Sequence, residues 1–206
     1  MIRLDGRRCT IRDKAGTTVS ADRTSTKLTY EDYLGFPDDG KRHEIIDGEH
    51  YVTPSPNLRH QAISLNLAFQ IRLFLEGHRL GRLFAAPADV VLSDIDVVEP
   101  DLLFVSKERL DRLTKANVQG SPDLVIEILS PSTRRRDEGI KRKRYERFDV
   151  LEYWIVDPEL EVVKVLRRTK KGLERVAELS KKGSDVIQTP LLPGLRIPLE
   201  RIFEEG

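Results

Sequence analysis

Residues Pro122–Thr133 read PDLVIEILSPST. Leu124–Leu129 is a run of β-branched and large aliphatic residues, closed off by Pro122-Asp123 before it and Pro131 after it. A short apolar run between turn signals describes a strand buried on both faces, the kind found inside an α/β sheet. Glu127 interrupts it. A lone ionised carboxylate among aliphatics is costly, so it needs a cation, a hydrogen-bond shell or a proton. Glu127 sits late in the strand, where a sheet opens to solvent.

Working outward, EPDLLFVS (Glu99–Ser106) reads as a second buried strand, also opened by a Pro-Asp pair. LEYWIVDP (Leu151–Pro158) is a third, ending at Asp157-Pro158. Between them, TRRRDEGIKRKRYERFDV reads as a basic helix from about 137 to 148. Upstream, Leu58, Ala62, Leu65, Phe69 and Leu73 recur at helical spacing and Gly77 stops the run, predicting a long helix. Asp47-Gly48 between apolar residues is a hairpin signal. Thr29, with Asp32 three residues on, can cap a short helix. EVVKVLRRT and LERVAEL read as antiparallel strands, and TPLLPGLRIPLERIF closes the chain irregularly. The order is that of an α/β domain on one mixed sheet. Residues 1–26 are polar and lack apolar periodicity, so they read as a poorly ordered extension ahead of one domain over 27–206.

Composition excludes several classes. The 206 residues carry 35 basic and 34 acidic side chains, so overall charge predicts no polyanion partner. A single cysteine, Cys9, rules out an internal disulfide and a cysteine-type zinc site. No apolar run is long enough for a membrane span, and the first residues do not resemble a secretory signal, so the expected location is cytoplasmic.

Asp101 at the entrance of one buried strand and Glu127 in the next can share a cation. A hard divalent ion such as Mg²⁺ takes oxygen ligands, often from one or two carboxylates plus water. The same pair resembles the acids of the PD-(D/E)XK nuclease superfamily. RHEIIDGE, SPNLRHQ, EPDLLFV, PDLVIEILSPSTRRRD, a following Lys and Tyr, and EYWIVDP, in this order, resemble the Uma-type restriction endonuclease family over roughly Leu28–Phe203.

That resemblance implies a restriction-endonuclease-like mixed β-sheet flanked by helices, with an N-terminal β-hairpin and a C-terminal β extension. It implies a Mg²⁺-dependent endonuclease acting on DNA, with Mn²⁺ as a substitute ion. Asp101 and Glu127 would hold the metal, with the Ile128 carbonyl as third ligand. The superfamily's usual lysine position, two residues after the second acid, is Leu129 here. Lys141 on the following helix matches the family instead, and Lys143 points about 200° away. Asp137 and Tyr145 fall on the Lys141 face and could orient it. Glu44 matches as a further acid, and His60 as a site residue at the start of the long helix. The departure at Leu129 keeps a second reading open, a catalytically inactive nucleic-acid- or protein-binding module on this fold.

The basic cluster Arg134, Arg135, Arg136 and Lys143 reads either as a solvated helix face or as phosphate-backbone contacts. No helix-turn-helix, zinc-finger or aromatic RNA-binding signature is present, so sequence-specific readout is not expected. Trp154 and Tyr153 read as core residues. His43, His50 and His78 show no metal-ligand spacing and read as surface residues. Cutting both strands of a duplex needs two sites, which is the one ground for a homodimer; no residue of the sequence demonstrates it.

Overall fold

The computed structural model describes residues 9–12, 18–21 and 27–204. Most of the expected N-terminal extension lies outside the described residues. Within it, β1 (Cys9–Arg12) and β2 (Thr18–Ala21) pair antiparallel.

Helix α1 (Tyr30–Tyr33) carries the expected capping box: Thr29 and Asp32 bond each other's backbone N–H. Strands β3 (Arg42–Ile46) and β4 (Glu49–Thr53) form the predicted hairpin. Asp47 (φ 56°) and Gly48 (φ 77°) are both left-handed, as a type I′ turn requires. Helix α2 (Leu58–Glu76) is capped by the Asn57 side chain on the His60 N–H. Next come β5 (Gly81–Ala85), β6 (Val90–Ser93), β7 (Asp96–Val98), β8 (Leu102–Ser106), β9 (Val118–Gln119) and β10 (Leu124–Ile128). A π-helical turn, Arg136–Lys141, runs into α3 (Arg142–Arg147), where one α-helix was expected. Strands β11 (Glu152–Asp157), β12 (Val162–Thr169), β13 (Gly172–Ser180), β14 (Val186–Ile187) and β15 (Ile197–Pro198), then α4 (Leu199–Ile202), complete the chain.

The strands divide between two main sheets rather than one. The central sheet runs β13-β12-β11-β10-β8-β5, with β10 and β11 parallel and the other neighbours antiparallel. The second runs β4-β3-β7-β6-β9. Strand β10, the apolar run interrupted by Glu127, lies inside the central sheet and is buried at every residue. One face of that sheet packs its Leu102, Ile126 and Trp154 under α2 and the C-terminal segment. The other packs Val125, Tyr153 and Ile155 under the second sheet and Tyr145 of α3.

Helix α2 is where predicted but turned. The apolar stripe picked from the sequence faces out: Leu58, Leu65, Phe69 and Leu73 are all more than half exposed. The buried face is His60, Ile63, Leu67, Ile71 and Leu75. Both sets fit a 3.6-residue repeat, so periodicity alone could not choose between them. Among the described residues no helix is long and apolar enough to cross a membrane.

Candidate active site

Pairing of β8 with β10 sets Leu102 opposite Ile126. One step further puts Asp101 opposite Glu127 on the same sheet face, where cross-strand Cβ atoms stand roughly 4.5–5.5 Å apart. Both are almost wholly buried, at 3% and 2% exposure. They lie at the floor of a cavity of about 330 Å³, which is also lined by Arg42, Glu44, His60, Arg136, Asp137 and Lys141.

Each side chain arrives by the geometry of its own element. Arg42 and Glu44 alternate onto one face of β3. His60 hangs from the first turn of α2. Asp137, Lys141 and Tyr145 follow at four-residue steps, and all three are buried, whereas Lys143 is exposed. Lys141 Nζ lies 2.7 Å from Glu44 Oε1 and 2.8 Å from Glu127 Oε1, with Asp137 at 3.9 Å. Tyr145 Oη donates to Glu127 Oε1 at 2.7 Å, so the tyrosine orients the acid rather than the lysine. Asp101 is held by Arg42 at 2.7 Å, by the Ile128 N–H at 2.7 Å and by His60 Nε2 at 3.2 Å.

Carboxylates are crowded around this cavity. Four carboxylates (Glu44, Asp101, Glu127, Asp137) face three permanent cations, Arg42, Arg136 and Lys141. Asp137 Oδ1 is buried with no hydrogen-bond partner among the described residues, and so is His60 Nδ1. Burial pushes Glu127 up to about 8; Asp137, Asp101 and Glu44 add to this against the pull of Lys141. Asp101 goes the other way. Burial would raise it, but the hydrogen bond and charge of His60, then Arg42 and Ile128 N–H, hold it at about 2. Burial would also strip the Lys141 proton, yet Glu127, Glu44 and Asp137 together raise its pKa. Behind Arg42, Glu99 is pushed up to about 7 by burial, then by Asp89 and Glu44.

The sign of the pH dependence follows. Glu127 and Glu99 bind protons more tightly folded than unfolded, so stability falls as pH rises from about 4.5 through 7 and 8. Asp101, with its lowered value, withdraws its contribution only as pH drops below 3.8 towards 2. Denaturant unfolding in the absence of metal should therefore give a maximum near pH 5 and a steady decline to pH 8. A flat profile from pH 5 to 8 would contradict the crowding of buried acids.

Not every residue picked from the sequence meets at the site. Arg134 is turned to Asp157 at 2.6 Å and to Glu159. Arg136 faces inward, to Glu44 and the Thr53 hydroxyl. Arg135 and Lys143 are exposed. Sequence reasoning missed Arg42, although its two-residue offset from Glu44 on a strand was the available signal. It also took His43 for a surface residue. His43 is buried, 3.0 Å from both His50 and Asp39 and beside Phe36. Trp154 and Tyr153 are core residues, as expected.

The family model Uma2, described as "Putative restriction endonuclease", matches residues 30–200. The chain is also similar to a solved structure described as a "putative nuclease belonging to DUF820" from Anabaena variabilis. The two are 20% identical with a TM-score of 0.72, over 85% of this chain and 97% of that one. At this identity the likeness shows the fold, a mixed α/β architecture with helices flanking the sheets. No curated protein matches the chain.

Proposed function

The chain belongs to the Uma2 family, described as "Putative restriction endonuclease", and from that premise we propose that it is a metal-dependent endonuclease that hydrolyses phosphodiester bonds in DNA. One observation carries the reading: two carboxylates from adjacent strands, Asp101 and Glu127, share the floor of a cavity with a buried lysine.

The donor set suits a hard divalent ion, Mg²⁺ or Mn²⁺. Asp101, Glu127 and the Ile128 carbonyl offer oxygen only, and such an ion would neutralise carboxylates crowded together out of water. Among the described residues no three acidic, histidine or cysteine side chains form a ready-made metal cage. Arg42 has to release Asp101 first. Removing that competitor in Arg42→Gln should tighten Mg²⁺ binding about tenfold, since a charge-assisted bond of roughly 1.5–3 kcal/mol no longer has to be broken. Calorimetric titration reads this directly; an unchanged affinity would mean that Arg42 does not compete with metal.

When bound, a divalent ion would polarise the phosphoryl group and make water more acidic. The chain's own residues would do the rest. Lys141, held charged by its acids, would turn an N–H toward oxygen charge developing on phosphorus. Arg42, once off Asp101, would bind a non-bridging phosphate oxygen. His60 would orient Asp101 through Nε2 and accept or give a proton at the unpartnered Nδ1. Cleavage of single-stranded DNA and nicking of supercoiled plasmid with Mg²⁺ or Mn²⁺, with EDTA as control, test the whole reading. Metal binding without any cleavage of DNA or RNA would favour the inactive binding module, for which the departure at Leu129 is the supporting feature.

A further inference from the structure

A second groove lies beside the candidate active-site cavity. One wall is β4 and the other is the helical run Arg136–Arg147. Thr53 and Arg136 line the cavity; Tyr51, two residues along the same strand face from Thr53, lines the groove. The Arg136 guanidinium lies over the Tyr51 ring, 5.6 Å from its centroid, so a residue of one lining meets a residue of the other. Beyond it, the groove of about 440 Å³ is walled by Ile140, Lys143 and Arg147. These residues follow Arg136 at spacings of four, three and four, one side of a helical run roughly 16 Å long.

The charges of this groove favour an anion. Asp47, on its rim, is already neutralised by Lys27 at 2.6 Å and Arg144 at 2.7 Å. Glu49 accepts a hydrogen bond from Tyr51 Oη and is the one acid lining the groove without an ion pair among the described residues. Lys143 and Arg147 are exposed, and neither makes an ion pair with a described residue. Arg147 lies over the Phe148 ring, 5.6 Å from its centroid, and keeps its charge free of any described acid. An aromatic ring followed by two cations without ion pairs along a groove is the arrangement that binds unpaired nucleic acid: bases stack, phosphates meet the cations.

We propose that this groove binds the strand flanking the scissile phosphate, and that the strand is single. The proposal rests on the nuclease reading for the identity of the cavity. The depth of the acids carries its second half. Asp101 and Glu127 are 2–3% exposed, behind Pro54, Pro56 and Pro131 at the cavity wall. A duplex is stiff over many base pairs, and forcing its backbone into so small a cavity costs several kcal/mol of deformation. An unpaired strand can turn in and continue along Tyr51, Lys143 and Arg147.

Binding, rather than cutting, tests this. Full-length Glu127→Gln protein in EDTA is titrated into a fluorescein-labelled 12-nucleotide single strand and into the matching duplex, with anisotropy as readout. The single strand should bind at least tenfold more tightly. Adding Lys143→Glu and Arg147→Glu should weaken single-strand binding tenfold or more. It should also reduce the slope of log K against log salt by about 1.4, two phosphate contacts at about 0.7 each. Thermal melting checks that these exposed substitutions leave the fold intact. Equal single-strand binding by the charge-reversed protein overturns the groove, and tighter duplex binding overturns the single-strand assignment. Groove-dependent binding in a chain that never cleaves would uphold this proposal while sinking the nuclease reading.

Discussion

Glu127→Gln is expected to lower metal-dependent cleavage about a thousandfold while leaving the protein folded. Glutamine keeps the shape of glutamate, and its carbonyl can still accept from Lys141 and Tyr145, the two groups that hold Glu127 Oε1. What it cannot do is ionise. Burial and neighbouring acids have pushed Glu127 up to about 8, so near neutral pH metal binding must expel its proton. The wild type should therefore bind Mg²⁺ more tightly with each step from pH 6 to pH 8, releasing a proton as it does. In Glu127→Gln that dependence should flatten and the affinity drop. Removal of a single group stabilising transition-state charge commonly costs a factor of 10²–10³, and here the metal goes with it. Cleavage by Glu127→Gln at the wild-type rate, in protein freed of contaminating nuclease, would remove Glu127 from the chemistry.

Lys141→Ala is expected to cost about 3–5 kcal/mol of stability, the typical penalty for leaving a buried charge without its partner. Lys141 is 2% exposed and lies within 3 Å of both Glu44 and Glu127. Without the ammonium, the two carboxylates confront each other with Asp137 close by. Some of the loss should return in Lys141→Ala/Glu127→Gln, because one of the uncompensated charges has gone; a double-mutant cycle in denaturant isolates that coupling. More should return on lowering the pH towards 5, well below the value near 8 to which Glu127 has been pushed, where that acid is protonated. If Lys141→Ala melts with the wild type at pH 8, the lysine is not the electrostatic centre of the site. Cleavage should be lost in either variant, so stability is the discriminating measurement.

The sequence made some of this legible. Glu127 stood out because an apolar strand has no use for a lone acid, and the register of β8 with β10 then brought Asp101 to it. The choice of Lys141 over Lys143 rested on the family match, helical angle saying only that the two cannot face the same way; Lys141 is 2% exposed and Lys143 is solvent-exposed. Other features were not legible, for identifiable reasons. Helix α2 carries two apolar stripes, and only tertiary packing selects one. Two sheets rather than one result from β3 pairing with β7, a contact that local pattern does not encode. Arg134 and Arg136 looked like part of a solvated basic face. Their partners, Asp157 and Glu44, lie 23 and 92 positions away, one downstream and the other upstream.

The groups that meet in the cavity come from β3, the first turn of α2, the residue before β8, β10 and the π-helical turn. Strand β10 is itself completed on one side by β11. A chain growing from the ribosome presents these pieces in sequence, N-terminal first. A fragment ending before residue 141 would carry the acids without their lysine, and one ending before 152 would lack the strand that flanks β10. The machinery would therefore be assembled late and all at once. Unfinished or truncated copies should be inert towards nucleic acid, including the messenger they are being read from.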